Sequence, residues 1–303
     1  MAPAKLRFTP WIKGVYEVSP GLKPFGTDFG NGILDQQAFP RTEDLDLFLD
    51  NKRRALRERR GKYTRSFRLD PKTEAAAARL MAERLATEHP DRFRMVSDEE
   101  LTLSFDETTW QLPARGDGAS LDLLARLVAE DIAVVQREDD LDWTAYLHVC
   151  APSHWAPEDK IGRSFFETHT PIPGFERANA ASKGLLTAMT ERGPWVRFTW
   201  GVESDDRLNH HPEPPSGEDP VLWDGRRFTD HYWVRWERQT LWPLPELAAS
   251  LFTIRVGYVA DAELSREERT ALTEALQGMS PKAREYKGLT QGFDRLLQMV
   301  RAE

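Results

Sequence analysis

Hydrophobic and polar positions along this chain follow two periods, helical towards both ends and strand-like in between. With Thr42 as N-cap, Glu43, Asp44 and Asp46 at the positive end of the dipole and Arg57, Arg59 and Arg60 at the negative end, a helix is predicted up to Gly61. A second runs from the Asp70 cap and Pro71 through AAAARLMAERLA to about Thr87. The pattern then loosens into the short strands FRMV and LTLSF. A third helix is predicted from Ser120, burying Leu121, Leu124, Leu127, Val128, Ile132 and Val135 and ending in the acidic turn Glu138 to Asp140.

Alternation takes over from there. Ala145, Leu147 and Val149 alternate with Tyr146, His148 and Cys150, and Val196, Phe198, Trp200 and Val202 with Arg197, Thr199, Gly201 and Glu203. Tyr232, Val234 and Trp236 alternate with Trp233, Arg235 and Glu237, and Phe252, Ile254, Val256 and Tyr258 with Leu251, Thr253, Arg255 and Gly257. The last three segments follow one another without a long helix between them, which favours antiparallel pairing. Between the first and the others lie a short helix entered near Pro157 and ending at His169, and a helical stretch of roughly residues 176–192. After Tyr258 the chain turns helical again, with Ser265 and Glu268 as a capping box and Gly278, Ser280, Pro281 and Gly288 as punctuation. The expected fold is α+β: an antiparallel sheet with helices packed on one face, a ligand held between helix and sheet, and additional N- and C-terminal helices. With no repeat and no seam, a single domain over residues 1–303 is expected, with a helical arm to about residue 90 and a helical extension from about 262. The proline-rich NHHPEPPSGED, residues 209–219, reads as a loop joining two strands.

Composition removes several classes of function. There are 49 acidic against 41 basic residues and a net charge of −8, which argues against a nucleic-acid surface; the basic block from Lys52 to Arg60 reads as a solvated helix end. Cys150 is the single cysteine, so no internal disulfide forms and a reducing compartment fits. No apolar run approaches the ~20 residues of a membrane span and the start lacks the apolar core of a signal peptide, so a cytoplasmic protein without a membrane partner is expected. Ten tryptophans suggest a core or pocket with flat walls.

Candidate chemistry centres on His169. Ile161, Phe165 and His169 are spaced i, i+4 and i+8 and share a helix face, so the imidazole sits on an apolar stripe. Two readings follow: a proximal ligand to a planar cofactor, or a helix-end histidine satisfied by the last carbonyls. His210 and His211 are adjacent, would face opposite ways on a strand, and with Glu213 make no recognisable metal-ligand spacing. Nucleotide, hydrolase and zinc-protease motifs are absent. Asp205 and Asp206, with Arg207, follow a strand and either hold a cationic amine or cap a loop. Arg238 and Arg255 sit among apolar strand residues and need an anion, either a protein carboxylate such as Glu237 or Glu246 or the carboxylates of a ligand.

Several segments in order, C-A-P-S-H-W-x-P-x-x-K-x-G, T-H-x-P-I-P-G, W-G-V-x-S-D-D-R-L, E-R-Q-T-L-x-x-L-P, L-F-T-I-R and Y-K-G-L, together resemble the haem-dependent oxidative N-demethylase family over about residues 20 to 300. The resemblance implies a PAS-like fold that binds haem b (iron). It also implies a monooxygenase that uses dioxygen to remove a methyl group from a small secondary amine such as dimethylamine, releasing formaldehyde. Electrons would come from NADPH through a separate flavin and iron–sulfur reductase. It makes His169 the metal ligand and Arg238, Gln239 and Arg255 residues of the haem edge or distal pocket; Trp200 with Asp205 or Asp206 would hold the amine cation. The chain departs from the family pattern at Thr199, Trp242 and Pro243, which motivates a second reading, a haem-binding PAS-type sensor or carrier without turnover. A third, a haem-free domain binding another small molecule, follows if His169 is only structural.

Overall fold

The computed structural model describes residues 5–97, 102–105, 108–139, 141–170, 172–173, 182–223 and 227–301. Its elements are β1 (Lys23–Pro24), α1 (Leu45–Tyr63), β2 (Thr64–Ser66), α2 (Pro71–Glu88), β3 (Phe93–Ser97), β4 (Thr102–Phe105), β5 (Thr108–Gln111), α3 (Ala119–Ala125), β6 (Asp131–Glu138) and β7 (Leu141–His148). They continue with α4 (Phe165–His169), α5 (Ser182–Glu191), β8 (Trp195–Glu203), α6 (Pro220–Trp223), β9 (Trp233–Leu244), β10 (Ala249–Ala260), α7 (Arg266–Gln277), α8 (Pro281–Tyr286) and α9 (Phe293–Arg301). Among the described residues, seven strands form one antiparallel sheet in the order β1-β8-β9-β10-β6-β7-β2, and β3-β4-β5 form a small second sheet. The class is α+β. No helix among the described residues is long and apolar enough to cross a membrane.

Local chemistry sets the helix starts. Asp70 accepts from the Lys72 and Thr73 amides at 2.7 and 3.2 Å with Pro71 at the first position, and Ser265 and Glu268 form the predicted capping box. The third helix departs from expectation: it stops at Ala125, and residues 131–138 are a sheet strand. Ile132 and Val134 face one side of that strand and Ala133 and Val135 the other, and both sides are covered, so the run is apolar throughout and mimics a helical stripe. Pro157–Asp159 is a separate 3-10 turn, so Ile161 lies outside α4 and does not share its face with His169.

Helices cover both faces of the sheet, where the sequence suggested one. On the first face the cross-strand row Trp242, Leu251, Val134 and Tyr146 packs against Ala77, Ala78, Met81 and Leu85 of α2 and Leu121 and Leu124 of α3. Each fully buried large side chain there contributes about 1.5–3 kcal/mol. Further along this face Trp200, Val202, Val234 and Trp236 pack against Leu272, Ala275 and Leu276 of α7 and Leu296 and Val300 of α9. Gly257, paired with Trp236, makes room for that indole: a Cβ at Gly257 would meet Trp236 Cζ2 at 2.0 Å. The same face carries Arg238 and Arg255, opposite each other in register. Arg238 Nη2 donates to the Asp35 carbonyl at 3.1 Å; Arg255 Nη2 donates to Thr42 Oγ1 at 2.7 Å and Asp44 Oδ1 at 2.6 Å. These two arginines pin the N-terminal arm across the sheet, and Thr42, expected as a cap, is spent on that contact while Asp44 takes the N-cap position without a side-chain cap bond. On the second face lie α4 and α5, with Phe165, Met189, Leu185 and Ile172 over Leu241 and Phe252.

Candidate cofactor cavity

Between the second face and the pair α4–α5 lies a cavity of about 450 Å³, within the ~300–1,000 Å³ range of small-molecule and cofactor sites. Along the strands its lining changes character. Leu22, Phe165, Ile172, Leu185, Met189, Leu241 and Phe252 make one end greasy; Ser153, His154, Glu203, Arg235, Glu237 and Lys287 make the other polar. Arg197, Thr199 and Gln239 lie between, on β8 and β9 residues whose side chains share this face by register.

His169 reaches the cavity from the last residue of α4. The helix is only five residues long, and its ends are fixed from outside. At its start the Ser164–Glu167 capping box closes the first turn and the Phe165 amide donates to Asp142 Oδ2 of β7 at 2.5 Å. At its end Lys160 Nζ donates to the Thr168 carbonyl at 2.8 Å. His169 Nδ1 is 2.7 Å from the Phe165 carbonyl oxygen, which can only accept, so Nδ1 carries the proton and the neutral ring keeps its lone pair on Nε2. Burial pushes the imidazole down to about 4, and the charges of Arg197 and Lys160 push the same way against the Phe165 hydrogen bond. A neutral histidine with its tautomer set by a backbone carbonyl is the arrangement a metal ligand requires.

Arg197 lines the cavity, and its charge acts on the His169 ring. Its Nε is buried and has no hydrogen-bond partner, and burial lowers its pKa despite the neighbouring Glu237. A buried guanidinium with an orphaned N–H is stabilised by an anion that enters beside it. Lys160, Arg197, Arg235 and Lys287 line the cavity against the carboxylates of Glu203 and Glu237, so the described lining carries an excess of two positive charges. Burial would raise the Glu237 carboxyl, but Arg235, hydrogen-bonded to it, and Gln239 Nε2 at 2.7 Å hold it below the usual range.

The residues expected at the site divide between the two faces. His169 and Gln239 border the cavity. Arg238 and Arg255 do not: strand alternation turns both to the opposite face, where the arm supplies their acceptors, so neither reaches a ligand in this cavity. Trp200 borders the cavity, but its indole packs against Trp11 and Tyr16, at ring-centroid distances of 6.3 and 5.9 Å. Asp205 receives Arg207 and His210, and Asp206 is exposed; neither lines the cavity. Of the departures from the family pattern, Thr199 faces the cavity, whereas Trp242 lies on the other face and donates to Thr240 Oγ1 at 2.8 Å. Sequence reading missed Arg197, Glu237 and Trp155. The available signal was a row of polar residues on two neighbouring strands, Arg197 and Thr199 beside Gln239 and Glu237.

The model of the family described as haem-dependent oxidative N-demethylase, alpha subunit-like, matches residues 44–297. The chain belongs to this family. Comparison with curated proteins finds no match. The family's description is haem-dependent, and the donor set on the second face fits such a group: a tautomer-fixed neutral imidazole, an aromatic and aliphatic slot around it, and an orphaned buried guanidinium. A second buried cluster, Asp131, His148 and Cys150, could also hold a metal by distance alone. There, however, Lys52 Nζ already stands 3.9 Å from Asp131 Oδ1 and donates to the Ala125 and Glu130 carbonyls at 2.8 and 2.5 Å. That cation occupies the charge position a metal would take.

Proposed function

We propose that this protein is a haem-dependent oxidative N-demethylase of a small methylated amine, with haem b in the cavity of a PAS-like fold and His169 as the iron ligand. The observation that carries the reading is the His169 ring, kept neutral by burial and oriented by the Phe165 carbonyl toward a slot that the family's cofactor matches in chemistry. Arg197, with Lys160 and Lys287, supplies the positive charge for the two propionates, the role first read into Arg238 and Arg255. Haem bound there supplies an iron at which dioxygen is reduced and an N-methyl group oxidised.

The rest falls to this chain's own side chains. Glu237 offers a buried carboxylate to the ammonium form of the substrate, in place of Asp205 and Asp206, and Trp155 offers an aromatic wall. The greasy end excludes water from the methyl group. For dimethylamine the balance is one dioxygen, two electrons and two protons consumed for one methylamine, one formaldehyde and one water formed. The two electrons are assigned to a separate NADPH-dependent flavin and iron–sulfur reductase, as the family resemblance implies. A cytoplasmic setting fits the single buried cysteine.

The test is reconstitution of the purified chain with haem, followed by formaldehyde assay with dimethylamine and a reductase. A Soret band together with amine-dependent formaldehyde is the expected result. A Soret band without formaldehyde from any small methylated amine would convert the assignment to a haem sensor or carrier, and failure to take up haem would end it.

A further inference from the structure

The polar end of the cavity contains a group of side chains that the demethylase reading leaves without a role. His154, Glu203 and His210 each offer one donor atom, and those atoms lie within 4.8 Å of one another. His154 Nε2 is 2.9 Å from Glu203 Oε2, and the two imidazole rings stand 4.9 Å apart. All three side chains are largely shielded, at 15, 6 and 0 % exposed for His154, Glu203 and His210.

His210 is the informative member. Its Nε2 lies 3.0 Å from Asp205 Oδ1, and since an ionised carboxylate only accepts, that nitrogen carries the proton. In the neutral ring the lone pair is then on Nδ1, which is buried and has no hydrogen-bond partner. An orphaned imidazole lone pair in a closed site is costly unless something electrophilic occupies the space beside it. A carboxylate that orients a histidine through its far nitrogen is the outer-shell arrangement of metal-binding histidines.

The two histidines are also held in place by their backbones. The His154 amide donates to the His210 carbonyl at 3.0 Å, the His210 amide donates to the Pro152 carbonyl at 3.1 Å, and Ser153 and His210 form a parallel bridge. His154 itself adopts φ +58°, a left-handed conformation that a non-glycine residue occupies only where its surroundings impose it. Around the site the carboxylates Glu203, Asp205 and Glu237 are balanced by Arg207, Arg235 and Lys287, so the case for a cation rests on the donor atoms and not on net charge.

We infer that His154, Glu203 and His210 form a divalent metal site, with zinc the cation best suited to two imidazoles and a carboxylate, and with Asp205 as the positioning residue of His210. Two of the ligands border the cavity, so the ion's remaining coordination position opens toward it. Zinc takes the Nε2 lone pair of His154, so the proton shared with Glu203 leaves that nitrogen, to Nδ1 from a neutral ring or to solvent from an imidazolium. The site does not depend on haem or on His169.

The experiment uses the full untagged chain, stripped with chelator, and zinc chloride as the probe. Titration calorimetry and elemental analysis after gel filtration should give one zinc per chain. Glu203→Gln and His210→Gln should each weaken binding by on the order of 100-fold, Asp205→Asn by about tenfold, while His211→Gln and His169→Ala should leave it intact. Far-ultraviolet spectra and melts qualify each variant, and if one fails to fold, cobalt on the wild-type chain decides. Tetrahedral d–d bands without a thiolate charge-transfer band support the site, and a thiolate band would assign the metal to Cys150 instead. No stoichiometric zinc on the wild-type chain, retention by both Glu203→Gln and His210→Gln, or loss in His169→Ala would each overturn the inference.

Discussion

The two faces of the central sheet carry the same ingredients, arginines among aromatic and aliphatic side chains, yet they hold them differently. On the first face Arg238 and Arg255 each use Nη2 on acceptors in the N-terminal arm, keep a buried Nε and Nη1 without a partner, and do not border the cavity. On the second face Arg197 has a buried orphaned Nε and a cavity in front of it. The difference teaches that a cation on an apolar strand is not by itself a ligand contact. What distinguishes Arg197 is the open cavity it borders, because all three guanidinium groups keep a buried N–H without a partner.

That contrast can be broken or sharpened by substitution. The largest expected effect is His169→Ala, which should weaken haem retention by on the order of 100-fold or more, read as loss of the Soret band on gel filtration with the melting curve of the apoprotein little changed. Arg255→Met should do the reverse. It removes two charge-assisted hydrogen bonds from the arm and should cost about 1–3 kcal/mol in denaturant unfolding, while haem uptake stays as in the wild type; a haem defect there would erase the distinction between the faces.

Glu130 tests the first face by pH. Burial raises its carboxyl to about 7, against the pull of Arg255, Lys52 and Arg238. A carboxyl raised in the folded state contributes stability below its unfolded value of 4.5 and loses it as pH rises through about 7. The wild type should therefore lose on the order of 2 kcal/mol relative to Glu130→Gln between about pH 5 and about pH 8, measured as the difference in urea midpoints; parallel curves for the two proteins would refute the burial argument. Smallest is Arg197→Met, expected to weaken haem binding about tenfold, or ~1.4 kcal/mol, without a stability loss, by haem titration.

Much of the fold was legible. The caps at Asp70 and Ser265, the antiparallel run of three strands and the helix ending at His169 all follow from local chemistry that operates within a few residues. The strand from Asp131 to Glu138 was not, because a strand covered on both faces loses the alternation that identifies strands. The cavity lining was only half legible for a related reason. Parity along β9 was evident, but which parity faces the cavity depends on where α4 and α5 dock, and that is settled by long-range packing of Phe165 and Met189 on Leu241. The three-residue cluster at His154 was invisible in sequence because its members are 49 and 7 residues apart, far from any contiguous ligand spacing.

The path of the N-terminal arm has one more consequence. The segment supplies Leu22 to the cavity wall, pairs as β1 with the outer strand β8, and then crosses to give Asp35, Thr42 and Asp44 to the two arginines beneath. It therefore wraps the rim of the sheet like a hem, shielding backbone that would otherwise solicit a neighbouring molecule. A shortened chain beginning after this hem should self-associate sooner than it melts.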